Sequence, residues 1–132
     1  MVEEQPTKSD KYFRYTDESG EFAGEYEGEW WGVKRHGYGK ATYPNGCTYE
    51  GNWDQGLRHG RGKMIYMEKD KNDESVTHQS EYDGNWNHGK REGLGFYKNE
   101  LGHTYEGEFK NGKMHGEGKY IWPNEPPEAE EP

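Results

Sequence analysis

The chain has a single cysteine, Cys47, among 132 residues, which excludes an intramolecular disulfide framework. Aliphatic side chains are also scarce. Hydrophobic residues make up 27% of the sequence against 33% charged, little material for a closed aliphatic core in one small domain. No apolar run approaches the length of a membrane-spanning helix. The opening MVEEQPTKSDKYFRY is polar and acidic, unlike a signal or transit peptide, so a soluble protein of a reducing compartment is expected. Basic residues are outnumbered by acidic ones, 17 to 26. The acid gathers before residue 26, between 68 and 81, and in the tail 123–132. Nucleic acid is therefore disfavoured as a partner, because phosphate affinity needs a concentrated basic face.

What the chain does have is 20 glycines beside 20 aromatic residues. Disordered segments are poor in aromatics, so apolar burial here must come from large rings, with something making room for them. Self-similarity shows the organisation. Units beginning YEGEWW at Tyr26, YEGNWD at Tyr49, YDGNWN at Tyr82 and YEGEFK at Tyr105 recur. The first and third steps are 23 residues and the middle one is 33, one unit plus a ten-residue insertion within 67–81, a polar stretch expected to be a long loop. The units are thus 26–48, 49–81, 82–104 and 105–122. The segment 1–25 is polar, with KYFRYTDESGEFAGE resembling the second half of a decayed unit, and the acidic, proline-rich tail 123–132 is expected to be disordered.

Each unit reads as a β-hairpin. A period of two puts Tyr49, Gly51 and Trp53 on one face, and Gly60, Gly62, Met64 and Tyr66 of the return strand on the same face. Pairing Gly51 with Gly62 sets Trp53 opposite Gly60, Tyr49 opposite Met64 and Glu50 opposite Lys63. The same register sets Glu27 opposite Lys40 and Glu106 opposite Lys119, cross-strand charge pairs that the third unit lacks, since Asp83 meets Phe96. Paired glycines clear a pocket in which a ring lies over bare backbone. Lone hairpins are marginal in water, so the expected fold is all-β: one elongated single-layer antiparallel sheet of stacked hairpins. Its ends need caps, and an uncapped end is an exposed edge that invites another chain.

The pattern Tyr-x-Gly-x-Trp, then Gly, then His-Gly-x-Gly, at a period of 23, resembles the MORN repeat (membrane occupation and recognition nexus). The residues that carry it are Tyr26, Gly28, Trp30, His36, Gly37 and Gly39; Tyr49, Gly51, Trp53, His59, Gly60 and Gly62; Tyr82, Gly84, Trp86, Gly93 and Gly95; and Tyr105, Gly107, Phe109, His115, Gly116 and Gly118. Departures are Gly32 followed by Val33 in the first turn, Glu92 in the histidine position and Phe109 in the tryptophan position. The resemblance implies a non-catalytic scaffold. Similar proteins serve in cilia and flagella, including radial spoke heads, in parasite cytoskeletons, at membrane junctions and as motor adaptors, and some bind acidic phospholipids. The expectation drawn from it is a cytoplasmic, cytoskeletal protein, with the ciliary or flagellar axoneme the foremost setting.

The candidate chemistry is thin. Equivalent histidines of stacked hairpins are two strands apart, roughly 10 Å, whereas zinc ligands lie within about 2.3 Å of one ion. His36, His59 and His115 therefore read as structural, and His78, His88 and His103 as solvated loop residues. Cys47 lies in the turn YPNGCT without a periodic histidine partner. The Gly-x-Gly of HGYG has no helix behind it to bind phosphate. Only four serines occur, Ser9, Ser19, Ser75 and Ser80, all in polar surroundings. No cofactor, metal or catalytic residue is expected.

Binding remains, with proteins as the expected partners. Trp31, Tyr38, Tyr97 and Trp122 are the candidate partner-binding rings, because large rings anchor interfaces. Lys34, Arg35, Arg58 and Arg61 are the candidate lipid-binding residues for an anionic membrane, the disfavoured alternative, since cross-strand glutamates offset them. A homodimer through the last hairpin is a further expectation.

Overall fold

The computed structural model describes residues 8–123, and the tail reading for 124–132 lies outside the described residues. Nine strands follow one another: β1 Lys8–Thr16, β2 Phe22–Trp31, β3 Lys34–Thr42, β4 Thr48–Asp54, β5 Leu57–Lys69, β6 Thr77–Asn87, β7 Lys90–Lys98, β8 Thr104–Lys110 and β9 Lys113–Ile121. They form one antiparallel sheet in sequence order, the single-layer all-β architecture that the repeats imply.

The core lies on one face and is made of rings. Tyr26, Tyr49 and Tyr82 are fully enclosed, and Trp30, Trp53, Trp86, Tyr105 and Phe109 are buried beside them. Each fully enclosed tyrosine meets the tryptophan of its own unit edge-on, as Tyr49 meets Trp53 with centroids 5.0 Å apart. It also meets the tryptophan or phenylalanine of the next unit, as Tyr49 meets Trp86 at 5.4 Å and Tyr82 meets Phe109 at 4.8 Å. Such T-shaped pairs add about 0.5–1.5 kcal/mol each beyond the area they bury. The rings therefore run as one chain across the hairpins.

Glycine makes that chain fit. Gly51 pairs with Gly62, and a Cβ built on Gly62 would lie 2.0 Å from Tyr49 Oη. The ring of Tyr49 thus occupies the space where a side chain at 62 would stand. The same relation holds between Tyr26 and Gly39, Tyr82 and Gly95, and Tyr105 and Gly118.

Beyond Gly51 and Gly62 the register departs from the sequence expectation. Trp53 pairs with Arg58, and Gly60 pairs instead with Trp86 of the following hairpin. A bulge intervenes, with Asn52 alone facing three residues, and it recurs at Glu29, Asn85 and Glu108. At the bulge Gly60 takes φ +88, left-handed backbone that a Cβ disfavours. The two glycines of His-Gly-x-Gly therefore serve different needs: the first bends the strand and the second admits a ring.

The bulge also supplies the tyrosine hydroxyl with an acceptor. Tyr49 Oη donates to the Asn52 carbonyl at 2.8 Å, and Tyr26, Tyr82 and Tyr105 donate likewise to Glu29, Asn85 and Glu108. Asparagine at the bulge donates across it, Asn52 Nδ2 to the Arg61 carbonyl and Asn85 Nδ2 to Leu94. Glutamate solves the same problem with opposite polarity: Glu29 and Glu108 carboxylates accept from the backbone N–H groups of Tyr38 and Glu117.

Two-residue turns close the hairpins. Gln55-Gly56, His88-Gly89 and Asn111-Gly112 all have positive φ at both positions, as type I′ turns require. The Gly32-Val33 turn puts its glycine first, which suits type II′ and accounts for the departure noted in the first unit.

The stretch 67–81 is not the long loop its polarity suggested. Strands β5 and β6 continue their pairing through Tyr66 with Ser80, Met67 with Gln79, Glu68 with His78 and Lys69 with Thr77. The insertion lengthens one hairpin, and its turn is closed by backbone bonds from Asp70 to Val76 and from Val76 to Asp73. Cys47 meets this extension, its Sγ accepting from the Met67 N–H at 3.2 Å. Strand β1 stands where the return strand of an earlier unit would, pairing Phe13 with Tyr26 and Lys11 with Gly28.

Burial of tyrosine hydroxyls on this face gives the fold an alkaline limit. Desolvation raises the pKa values of Tyr26, Tyr49 and Tyr82, that of Tyr82 to about 12 from an ordinary 10.0. The folded state thus holds protons that the unfolded chain releases first. Stability is expected to be intact below pH 10 and to fall steadily from there through pH 12. Urea midpoints measured across pH 8–12 check this, and a flat profile would contradict it.

Candidate functional site

Three surfaces arise from the hairpin stack: the ring face, the opposite polar face, and the ridge of hairpin turns.

On the ring face the tryptophan of each of the first three units reaches back to the preceding strand. Trp53 Nε1 donates to the Gly39 carbonyl and Trp86 Nε1 to Gly62, both at 3.0 Å, and Trp30 Nε1 to Lys11. A basic side chain lies over each such ring, Arg35 at 4.7 Å from Trp53, Arg58 at 4.8 Å from Trp86 and Lys11 at 5.9 Å from Trp30. Arg58 Nη2 also donates to the Gly89 carbonyl, and Arg91 Nη2 to that of Gly112. Of the four candidate lipid-binding residues, Arg35 and Arg58 are thus packed against rings. Lys34 and Arg61 are exposed, and Arg61 stands 3.7 Å from Asp83.

The candidate partner-binding rings do not share one face. Tyr38 is exposed on the polar face, its hydroxyl donating to Glu50 at 3.0 Å. Tyr97 is half-buried against the core of the ring face. Trp31 is half-buried and meets His36 edge-on at 4.5 Å, with a buried Nε1–H that has no acceptor among the described residues. Trp122 stands out at 48% exposed. Its ring lies 4.1 Å from Tyr120 and 5.9 Å from His103, so the ring face ends beside β9 in a small, open aromatic cluster. Tyr12 and Phe13 of β1 are also about half exposed. Neither was singled out from the sequence, because β1 carries a degenerate half-unit without the glycine pattern.

On the ridge, the second, third and fourth turns are each held by the unit before. The Gly56 N–H donates to the Arg35 carbonyl, Gly89 to Arg58 and Gly112 to Arg91. His36 Nδ1 accepts from the Gln55 N–H and His59 Nδ1 from the His88 N–H, both at 3.1 Å. The repeat histidine is therefore a link between consecutive turns. Glu92 holds that position in the third unit and accepts instead from Asn87 of its own hairpin. Glu92→His is expected to supply the missing acceptor for the Asn111 N–H and to raise stability by about 1 kcal/mol. Denaturant unfolding of the variant checks this, and an unchanged midpoint would count against the link.

At the insertion, His78 is held between Asp70, 2.7 Å from its Nε2, and the Glu100 carboxylate at its Nδ1. The hydrogen bond that its ring donates to the Asp70 carboxylate chiefly raises its pKa above the ordinary 6.5. His78 thereby ties the lengthened hairpin to the turn Asn99–Gly102, beside a cleft of about 370 Å³.

Repeat histidines of successive units stand two strands apart, but a turn residue closes that distance. His88, read from sequence as a solvated loop residue, stacks on His59 with centroids 4.1 Å apart. Its Nε2 lies 3.1 Å from Asp54 Oδ2. Asp54, His59 and His88 each offer a ligand atom, all within 4.8 Å of one another. Neither Asp54 nor His88 belongs to the repeat pattern, and their separation of 34 positions matches no repeat step, so nothing in the sequence brought them together.

Comparison with known proteins agrees with the architecture. The family model described as MORN repeat matches residues 26–48, 49–70, 82–99 and 105–125. No curated protein matches the chain.

Proposed function

Because the chain belongs to the MORN-repeat family, whose members are typically non-catalytic scaffolds, we propose that it binds protein partners within a multiprotein cytoskeletal assembly. The ciliary or flagellar axoneme is the setting that family analogy favours, with a radial-spoke-like role. The observation that carries the reading is the open cluster of Trp122, Tyr120 and His103 at one end of the ring face. Between its two ends that face is closed by its own tyrosines and tryptophans, whereas these rings continue the same surface and remain accessible. Large, rigid aromatics of this kind anchor protein interfaces at low entropic cost. Strand β9 beside them is exposed along nearly its whole length and, among the described residues, has a neighbour on one side only. Such an edge pairs readily with another strand, so a homodimer through β9 is part of the proposal. Membrane binding is the weaker reading, since Arg35 and Arg58 are occupied by rings.

The test is capture of partners from native lysate in moderate salt by wild-type protein and by Trp122→Ala, beside flotation with anionic liposomes. Trp122 lies outside the core, so the variant keeps its fold. Recovery of cytoskeletal or axonemal proteins by wild type, lost with Trp122→Ala, is expected. Salt-sensitive flotation with no stable protein partner would overturn the scaffold in favour of a membrane adaptor.

A further inference from the structure

We infer that Asp54, His59 and His88 form a binding site for a first-row divalent transition metal, with Zn²⁺ the natural candidate, which clamps the second hairpin turn to the third.

The stacking of turns creates the site. The backbone bond from Gly89 to the Arg58 carbonyl, at 2.7 Å, sets the third turn against the second. That places His88, the first residue of its turn, over His59 of the previous unit. Asp54, which leads into the second turn, then faces both. Its Oδ2 is 3.1 Å from His88 Nε2 and its Oδ1 is 3.5 Å from His36 Nδ1, so one carboxylate is ringed by three imidazoles.

The donor set selects the ion. Two imidazole nitrogens and a carboxylate oxygen suit zinc, copper, nickel or cobalt, whereas calcium and magnesium require more oxygen ligands. Three protein ligands leave a coordination position open to water, as in zinc sites that are not closed structural centres. Ligand atoms within 4.8 Å of one another must draw in by roughly 1 Å to reach zinc bonds of about 2.0–2.2 Å. That movement is accessible, because His88 is half-exposed and Asp54 is only partly buried.

Binding carries a cost that fixes its strength and its consequence. His59 Nδ1 now accepts from the His88 N–H. Whether His59 ligates through Nδ1 directly or through Nε2, with its proton moved to Nδ1, that hydrogen bond is given up. The metal therefore replaces one link between the turns with a stronger one and does not create a new fold. Affinity in the micromolar range is expected, not the tight binding of a buried four-ligand centre.

Sister units supply the test variants. Asn87 stands where Asp54 does, before its turn, and Asn111 stands where His88 does, at positive φ. Asp54→Asn and His88→Asn thus borrow residues that this fold already accommodates. Tag-free protein is titrated with Zn²⁺ by calorimetry and with Co²⁺ by visible absorption, and thermal unfolding is followed with each ion. One equivalent is expected to bind wild type and raise the unfolding midpoint. Each variant should bind at least tenfold more weakly, His115→Ala should bind as wild type does, and Ca²⁺ and Mg²⁺ should have no effect. No saturable binding below 100 µM, or binding equally strong in Asp54→Asn and His88→Asn, would overturn the site.

Discussion

Gly62→Ala should cost the protein about as much as deleting a core ring, about 3–5 kcal/mol, although it adds a single methyl group. That methyl would stand 2.0 Å from Tyr49 Oη and 2.3 Å from Cζ. Tyr49 is completely enclosed, so its ring cannot shift within the core and must leave it. Gly56→Ala provides the contrast. Its backbone is at φ +91, but nothing lies within 4 Å of an added Cβ, so only backbone strain of about 1–2 kcal/mol is expected. The pairing of ring and glycine makes a second claim. Tyr49→Ala should be severe alone and add little in a Gly62→Ala background, because both remove the same contact. Denaturant unfolding of the four proteins measures this, and full additivity would show that the ring is not displaced.

Trp53→Ala should be comparably damaging, at about 3–5 kcal/mol, for a different reason. Trp53 joins two units: its ring meets Tyr49 of its own hairpin and Tyr26 of the previous one at 5.5 Å, its Nε1 bonds the Gly39 carbonyl, and Arg35 stacks upon it. Trp53→Phe imitates Phe109, which fills the same place in the fourth unit. It should keep the ring contacts, lose the Nε1 hydrogen bond to the Gly39 carbonyl together with part of the indole's burial, and cost about 1–3 kcal/mol. Equal losses for the two variants would mean that the hydrogen bond, not the ring, couples the units.

The contrast between these residues shows what could be read from the chain. Tyr49, Gly51 and Trp53 alternate with Glu50 and Asn52, and a period of two fixes which of them share a face. From that follow the sheet, the glycine pairing and the facing of Glu50 and Lys63. The bulge at Asn52 was not legible, since alternation cannot reveal an extra residue on the partner strand. The clue was present in Gly60, which packs against no ring and is needed for its positive φ. The insertion misled because its polar composition fits loop and solvated strand equally, and β5 and β6 extend there with both faces largely open. The contact of Asp54 with His88 depends on how one turn rests on the next, a tertiary relation that spacing within a unit does not encode. The open rings of Tyr12 and Phe13 escaped notice for a related reason: β1 is recognised by its pairing with β2, not by the motif.

Hydrogen exchange on wild type and Trp53→Ala tests most directly the central claim that the hairpins form one cooperative sheet joined by rings. Nearest-neighbour coupling predicts that the substitution accelerates exchange in β4 and β5 and also in β2 and β3, where Tyr26 and Gly39 lose their partner. In wild type, protection should be greatest in the middle strands and decline towards β1 and β9. Acceleration confined to β4, with β2 and β3 unchanged, would contradict the account and show hairpins that fold side by side without supporting one another.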